Sequence, residues 1–217
     1  IAGNQTSGVI VSGTRNRVIG NEIGINTAQN DRFGIELRDT QSCFVEGGNK
    51  IVHNLGGILI EPDAGVSMGN TITDNDINNN FGVVSGEENG ITIRGNASGN
   101  RILGNRMFTN VGLGIDLGGD GVTPNDEDAR DGDTGPNGLQ NFAQLARAAS
   151  SNTRSQVFVV LKSHPNTDFR VEIFSAFSGC DDFDTSEGHN LLKAIPLRTD
   201  STGLAFSPVI FDQVVAV

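Results

Sequence analysis

Apolar residues in this chain come in short runs, each closed by Asn or Gly. The signature Asn-x-(Ile/Val)-x-x-Asn stands at residues 16–21, 49–54, 70–75 and 100–105. Three copies extend to a further apolar residue and Asn: Ile23 and Asn26, Ile77 and Asn80, Met107 and Asn110. The copy at Asn49 instead passes from Asn54 straight into Leu55-Gly56-Gly57, which predicts a tighter coil there. A second signature, Gly-(Ile/Val)-x-(Leu/Ile/Val), alternates with the first at Gly8, Gly34, Gly57, Gly90 and Gly114. Runs this short, bounded by turn residues, predict strands meeting at bends rather than helices.

The second signature recurs after 23 residues between Gly34 and Gly57 and after 24 between Gly90 and Gly114. The longer interval from Gly57 to Gly90 holds an extra segment, residues 81–90. A period in the low twenties built from short strands predicts a β-solenoid. A leucine-rich repeat is excluded, because asparagines recur every five residues and no Leu-x-x-Leu-x-Leu frame is present. Asn tolerates left-handed backbone angles at a bend and can bond to its stacked copy. Asn21, Asn54, Asn75 and Asn105 are therefore predicted to form one ladder, with Asn30 outside it. The Ile and Val between them point inward and stack. One coil buries too little to hold itself, so neighbouring coils are compulsory.

Beyond Gly118 the pattern changes to an acidic stretch rich in Gly and Pro. Asp120, Asn125, Asp126, Asp128, Asp131 and Asp133 are the candidate metal ligands. Ca²⁺ takes six to eight oxygens from carboxylates, amides and carbonyls on a flexible loop, and this loop supplies all three kinds. The register differs from the EF-hand frame, and the alternative is a solvated acidic turn. From Leu139 onward the coil signature is gone. Strand-like runs follow at 157–162, 169–174, 191–199 and 204–211, separated by turn signals such as His164-Pro165-Asn166. The expected organisation is a solenoid over 1–145, including the acidic terminal loop at 118–141, then a connector at 146–154. An immunoglobulin-like β-sandwich module, short of strands, is expected over 155–217.

Composition narrows the reading. The 217 residues include 29 Gly, 12 Phe, no Trp and no Tyr, which suits a thin core with many bends. A formal net charge of −11 argues against a nucleic-acid partner, since binding phosphate requires clustered Lys and Arg. No apolar run reaches the roughly 18 residues of a membrane span. Ile1 begins in mid-pattern with no signal peptide ahead of it, so the sequence is expected to be a piece of a longer chain. Cys43 alternates within an apolar stretch and reads as a buried free thiol, and a Cys43–Cys180 bridge is not expected.

These signatures resemble the right-handed parallel β-helix repeat proteins of the pectate-lyase-like superfamily. They are most similar to secreted bacterial chains carrying Asn-x-Ile-x-x-Asn coils. The resemblance covers residues 1–145 and is most specific at 112–126. Residues 166–174, with Cys180-Asp181, Glu187-Gly188 and Thr199-Asp200, resemble the small β-sandwich modules that follow such repeats. The implied fold is all-β: a right-handed parallel β-helix followed by an incomplete antiparallel sandwich. The implied location is extracellular or at the cell surface. The superfamily holds polysaccharide lyases, hydrolases, epimerases and members without known chemistry, so the fold does not supply the function.

Candidate chemistry is sparse. The chain lacks the Tyr acid of several lyase types, and His53, His164 and His189 have no second candidate beside them in sequence. Asp74 and Asp76 flank Asn75. Glu36 and Asp116 share one slot of the Gly signature two coils or more apart; stacked carboxylates at the right separation would suit a glycosidase pair, although repeat slots produce such pairs by coincidence. The Asp181-Asp182 doublet lies outside the coil. No catalytic residue is assigned. The expected function is a secreted or cell-surface structural or adhesive protein without catalytic activity, stabilised by Ca²⁺. Open edges at Ile1 and Val217 suggest self-assembly into a homo-oligomer or filament, with truncation as the other explanation. The alternative is a carbohydrate-active enzyme (polysaccharide lyase or glycoside hydrolase) or a carbohydrate-binding module. Such a protein would meet a polysaccharide on one face of the coil.

Overall fold

A computed structural model of the chain describes residues 1–25, 29–82, 86–126, 131–176 and 187–212. The repeats form a parallel β-solenoid of about four turns. The first turn is β1 (Val9–Thr14), β2 (Arg17–Ile19) and β3 (Glu22–Ile23). The second is β4 (Phe33–Gln41), β5 (Phe44–Glu46) and β6 (Lys50–Val52). The third is β7 (Gly56–Glu61), β8 (Thr71–Thr73) and β9 (Asp76–Asn78). The fourth is β10 (Ile91–Ile93), β11 (Arg101–Leu103) and β12 (Arg106–Phe108), after which β13 (Ile115–Leu117) starts another. Strands stack in three sheets, ordered β1-β4-β7-β10-β13, β2-β5-β8-β11 and β3-β6-β9-β12.

Alternation along each strand decides what is inside. The register aligns Val9, Ile35, Ile58, Ile91 and Ile115 in one column and Val11, Leu37, Ile60, Ile93 and Leu117 in another. Val18, Val45, Ile72 and Ile102 form a third column, and Ile23, Ile51, Ile77 and Met107 a fourth. Apart from Ile115, which is exposed at the end of its column, the four columns pack into a single apolar core. Burial of these side chains, about 1.5–3 kcal/mol each, is the main term favouring the coil.

The glycine of the second signature serves this core by having no side chain. At Gly8, Gly34 and Gly57 an added Cβ would overlap Cγ2 of Ile23, Ile51 and Ile77 respectively. The fourth apolar column therefore rests directly on the backbone of the first sheet.

The corners correct two expectations. The left-handed residue is the one before the Asn: Arg15, Ser42, His53, Asp74 and Thr109 all have positive φ, and each precedes a ladder residue. The Asn itself keeps an ordinary backbone and supplies amide bonds along the axis. The ladder also has different members. Asn21, Asn49, Asn75 and Asn105 bond in sequence, Nδ2 to Oδ1, at 3.1, 2.8 and 2.9 Å. Asn54 belongs to another ladder, running Asn4, Asn30, Asn54, Asn80 and Asn110. Asn30, expected outside any ladder, is fully buried in this one.

Cys43 explains the slip. It occupies the Asn slot of the second turn, taking the Asn16 N–H on its sulfur at 3.3 Å and giving its own N–H to Asn70 Oδ1 at 3.0 Å. The second turn is thus complete, with Cys in place of Asn and Gly47-Gly48 lengthening the next corner, rather than tightened. Cys43 is a buried free thiol.

A short 3₁₀ turn (Pro136–Leu139) follows, then β14 (Gln144–Ser150), β15 (Ser155–Lys162), β16 (Asp168–Ser175), β17 (Asn190–Arg198) and β18 (Leu204–Phe211). β14-β15-β18 form an antiparallel sheet, and β16-β17 a two-stranded one. The stretch expected to be a connector is for its greater part β14, paired with β15 from Gln144 to Ser150. Val157, Val159 and Leu161 on β15 and Ala205, Val209 and Phe211 on β18 are buried. Phe158 and Phe206 stack on the opposite face, ring centres 5.5 Å apart. By contacts the chain divides into two compact units. One holds Ile1–Thr123, Thr134–Leu139 and Glu172–Lys193, and the other Pro124–Asp133, Gln140–Val171 and Ala194–Val217.

Candidate functional site

The outward column of the first sheet carries Ile10, Glu36, Leu59, Thr92 and Asp116 in register. From Glu36 to Asp116 is three strand spacings, about 14 Å at about 4.8 Å per step. Paired glycosidase carboxylates stand about 5–9.5 Å apart, so these two cannot flank one glycosidic bond.

Both carboxylates are buried and internally partnered. Glu36 accepts from the Ser7 hydroxyl and pairs with Arg38, with Arg32 Nη1 at 3.3 Å. Burial pulls the Arg38 guanidinium down, but its hydrogen bonds and charge contacts with Glu36 and Asp63 outweigh this and raise it. Asp116 accepts from Asn89 Nδ2 at 3.0 Å and from the N–H groups of Gly119 and Gly121 at 3.0 and 3.1 Å. The run Gly118-Gly-Asp-Gly121 thereby folds back on the Asp116 carboxylate. Neither group is presented to a substrate.

The described part of the acidic loop is built around Asn141, a residue that no sequence motif marks. Asn141 Oδ1 accepts the Asp126 N–H at 3.1 Å and its amide donates to Asp126 Oδ1 at 3.2 Å. Asp131 is buried, accepting from the Ser163 hydroxyl and from the Asn141 N–H at 3.3 Å. Asn125 exchanges two bonds with the Phe142 backbone, at 2.7 and 2.8 Å. Asp120 and Asp133 are exposed. Asp128 lies outside the described residues, as do Asn26, Cys180, Asp181 and Asp182. Among the described residues, no three His, Cys, Asp or Glu gather in a metal-binding group.

The histidines differ. His53 turns a corner at φ 56° and stacks on Phe81, and His164 is exposed. His189 is brought to the coil in space: its Nε2 lies 2.7 Å from Arg106 Nη2, and Arg106 Nη1 is 3.2 Å from Asp76 Oδ2. The Phe108 ring meets the imidazole edge-on at 4.7 Å. Burial and then the Arg106 charge hold the imidazole below the ordinary histidine range, with Asp76 opposing. The readable half of this line is the column Glu22, Lys50, Asp76, Arg106, alternating in charge along the third sheet. With Nε2 engaged by a guanidinium, His189 has no acceptor on that nitrogen for a substrate proton.

No family model matches the chain, and no curated protein matches it. No helix among the described residues is long and apolar enough to cross a membrane.

Proposed function

We propose that the chain is a structural or adhesive β-solenoid without catalytic activity, acting outside the cell or at its surface. The observation supporting this reading most strongly is that the coil's recurrent polar residues bond to one another. The Asn ladders run along the axis, and both stacked-slot carboxylates are held by Ser, Arg, Asn and backbone donors. Such bonding stabilises a scaffold and, among the described residues of the first sheet, engages both stacked-slot carboxylates internally. The competing reading is a polysaccharide-active enzyme. Incubating the protein with a panel of acidic and neutral polysaccharides, and following unsaturated ends and reducing ends, should show no turnover. Turnover abolished by a coil substitution such as Glu36→Gln would overturn the proposal.

Calcium stabilisation of the 118–141 loop belongs to the same proposal, supported by its carboxylate density. Adding Ca²⁺ to chelated protein is expected to raise the melting temperature, and Asp120→Ala with Asp133→Ala to reduce the rise. An unchanged melting temperature in the parent protein would remove calcium from the account.

A further inference from the structure

Residues 187–190 lie where a further strand of the third sheet would run. The Gly188 carbonyl accepts the Met107 N–H at 2.8 Å, giving β12 a partner on its outer edge. Glu187 stands in the slot of the next ladder Asn, its carboxylate taking the Asn110 N–H at 3.0 Å and the Asn110 amide at 2.5 Å. His189 N–H donates to the Ser175 carbonyl at 2.9 Å. This strap closes an edge that would otherwise offer unpaired backbone groups.

One contact in the strap depends on protonation. Arg106 can only donate, so the His189 Nε2 facing it at 2.7 Å must accept, which makes the ring neutral with its proton on Nδ1. Asn190 Nδ2 lies 2.8 Å from Nδ1, and turning that amide over would set its oxygen as the acceptor for the Nδ1 proton. A proton added at Nε2 would convert the acceptor into a donor and set an imidazolium against a guanidinium.

We propose that His189 is an acid-sensitive catch, holding the 187–190 strap on the last turn when neutral and releasing it when protonated. Among the described residues, the charged groups around the catch include Arg106 on β12, Asp76 on β9, Glu187 in the strap and Glu172 on β16, whose carboxylate takes the Gly104 N–H at 2.8 Å. Arg106 opposes protonation and Asp76 favours it. Burial sides with Arg106, and the proton affinity falls below that of free histidine. The sign follows: a depressed folded value makes the strap's stability full above the ordinary histidine range and lost as pH falls through the folded value.

Amide hydrogen exchange on the whole chain tests this. Between about pH 7.5 and about pH 5, the protection factor at Met107 should fall roughly three- to tenfold, while Ile58 and Ile91 in the core keep theirs. His189→Gln keeps an acceptor for Arg106 but does not titrate, so its Met107 protection should stay near the parent's pH 7.5 value at both pH values. Constant protection in the parent overturns the proposal. So does an equal fall in His189→Gln, which would move the effect to the carboxylates, or a fall at every core amide, which would be global unfolding.

Discussion

Gly57→Ala is expected to destabilise the solenoid by about 3 kcal/mol or more, the upper range for overpacking. The new Cβ would lie 2.5 Å from Ile77 Cγ2 and closer still to the carbonyl oxygen of Gly90. The oxygen is main chain in the adjacent turn, so relief requires parting β7 from β10. Gly114 occupies the same slot at β13, where an added Cβ meets nothing nearer than 3.7 Å. Gly114→Ala should therefore be nearly neutral. Urea denaturation of both variants, followed by far-ultraviolet circular dichroism, checks the pair, and similar midpoints would refute the packing role given to this glycine.

Asn75→Ala should cost about 3 kcal/mol. Its side chain donates to Val45 O at 2.9 Å and Asn105 Oδ1 at 2.9 Å and accepts from Asn49 Nδ2 at 2.8 Å. Each such bond contributes about 1 kcal/mol net, and more when a buried partner is left unmet. Asn30→Ala should cost a similar amount, because that residue joins Asn4 to Asn54 in the neighbouring ladder. Asn96 is exposed in a turn, and its alanine variant should change stability by less than about 0.5 kcal/mol. If all three shifts were equal, the ladders would contribute nothing specific.

The second turn shows how far periodicity carries. Aligning residues 49–54 with 16–21 by motif put Ile51 in the column of Val18 and Ile72. The folded chain sets Ile51 with Ile23 and Ile77, and gives the earlier slot to Val45 behind Cys43. A thiol can fill a buried corner and take an N–H, but it breaks a pattern written in Asn. The chemistry of the candidate sites was less legible still. Glu36 meets Ser7 across 29 positions, and Arg106 meets His189 across 83.

What the sequence alone determined is local: short alternating strands, corners after every few residues, and a glycine at or just before the start of each strand of the first sheet. These follow from the two-residue side-chain period and from the space a Cβ demands, which the chain carries wherever it lies. Tertiary structure decided which Asn stands on which, that Asn141 bonds to Asp126 and Asp131 in the described part of the acidic loop, and that His189 lies against Arg106. Partners in successive turns are separated by linkers of unequal length, so sequence offset does not fix the register. The register is fixed by burial, because only one alignment places Ile23, Ile51, Ile77 and Met107 together inside the coil.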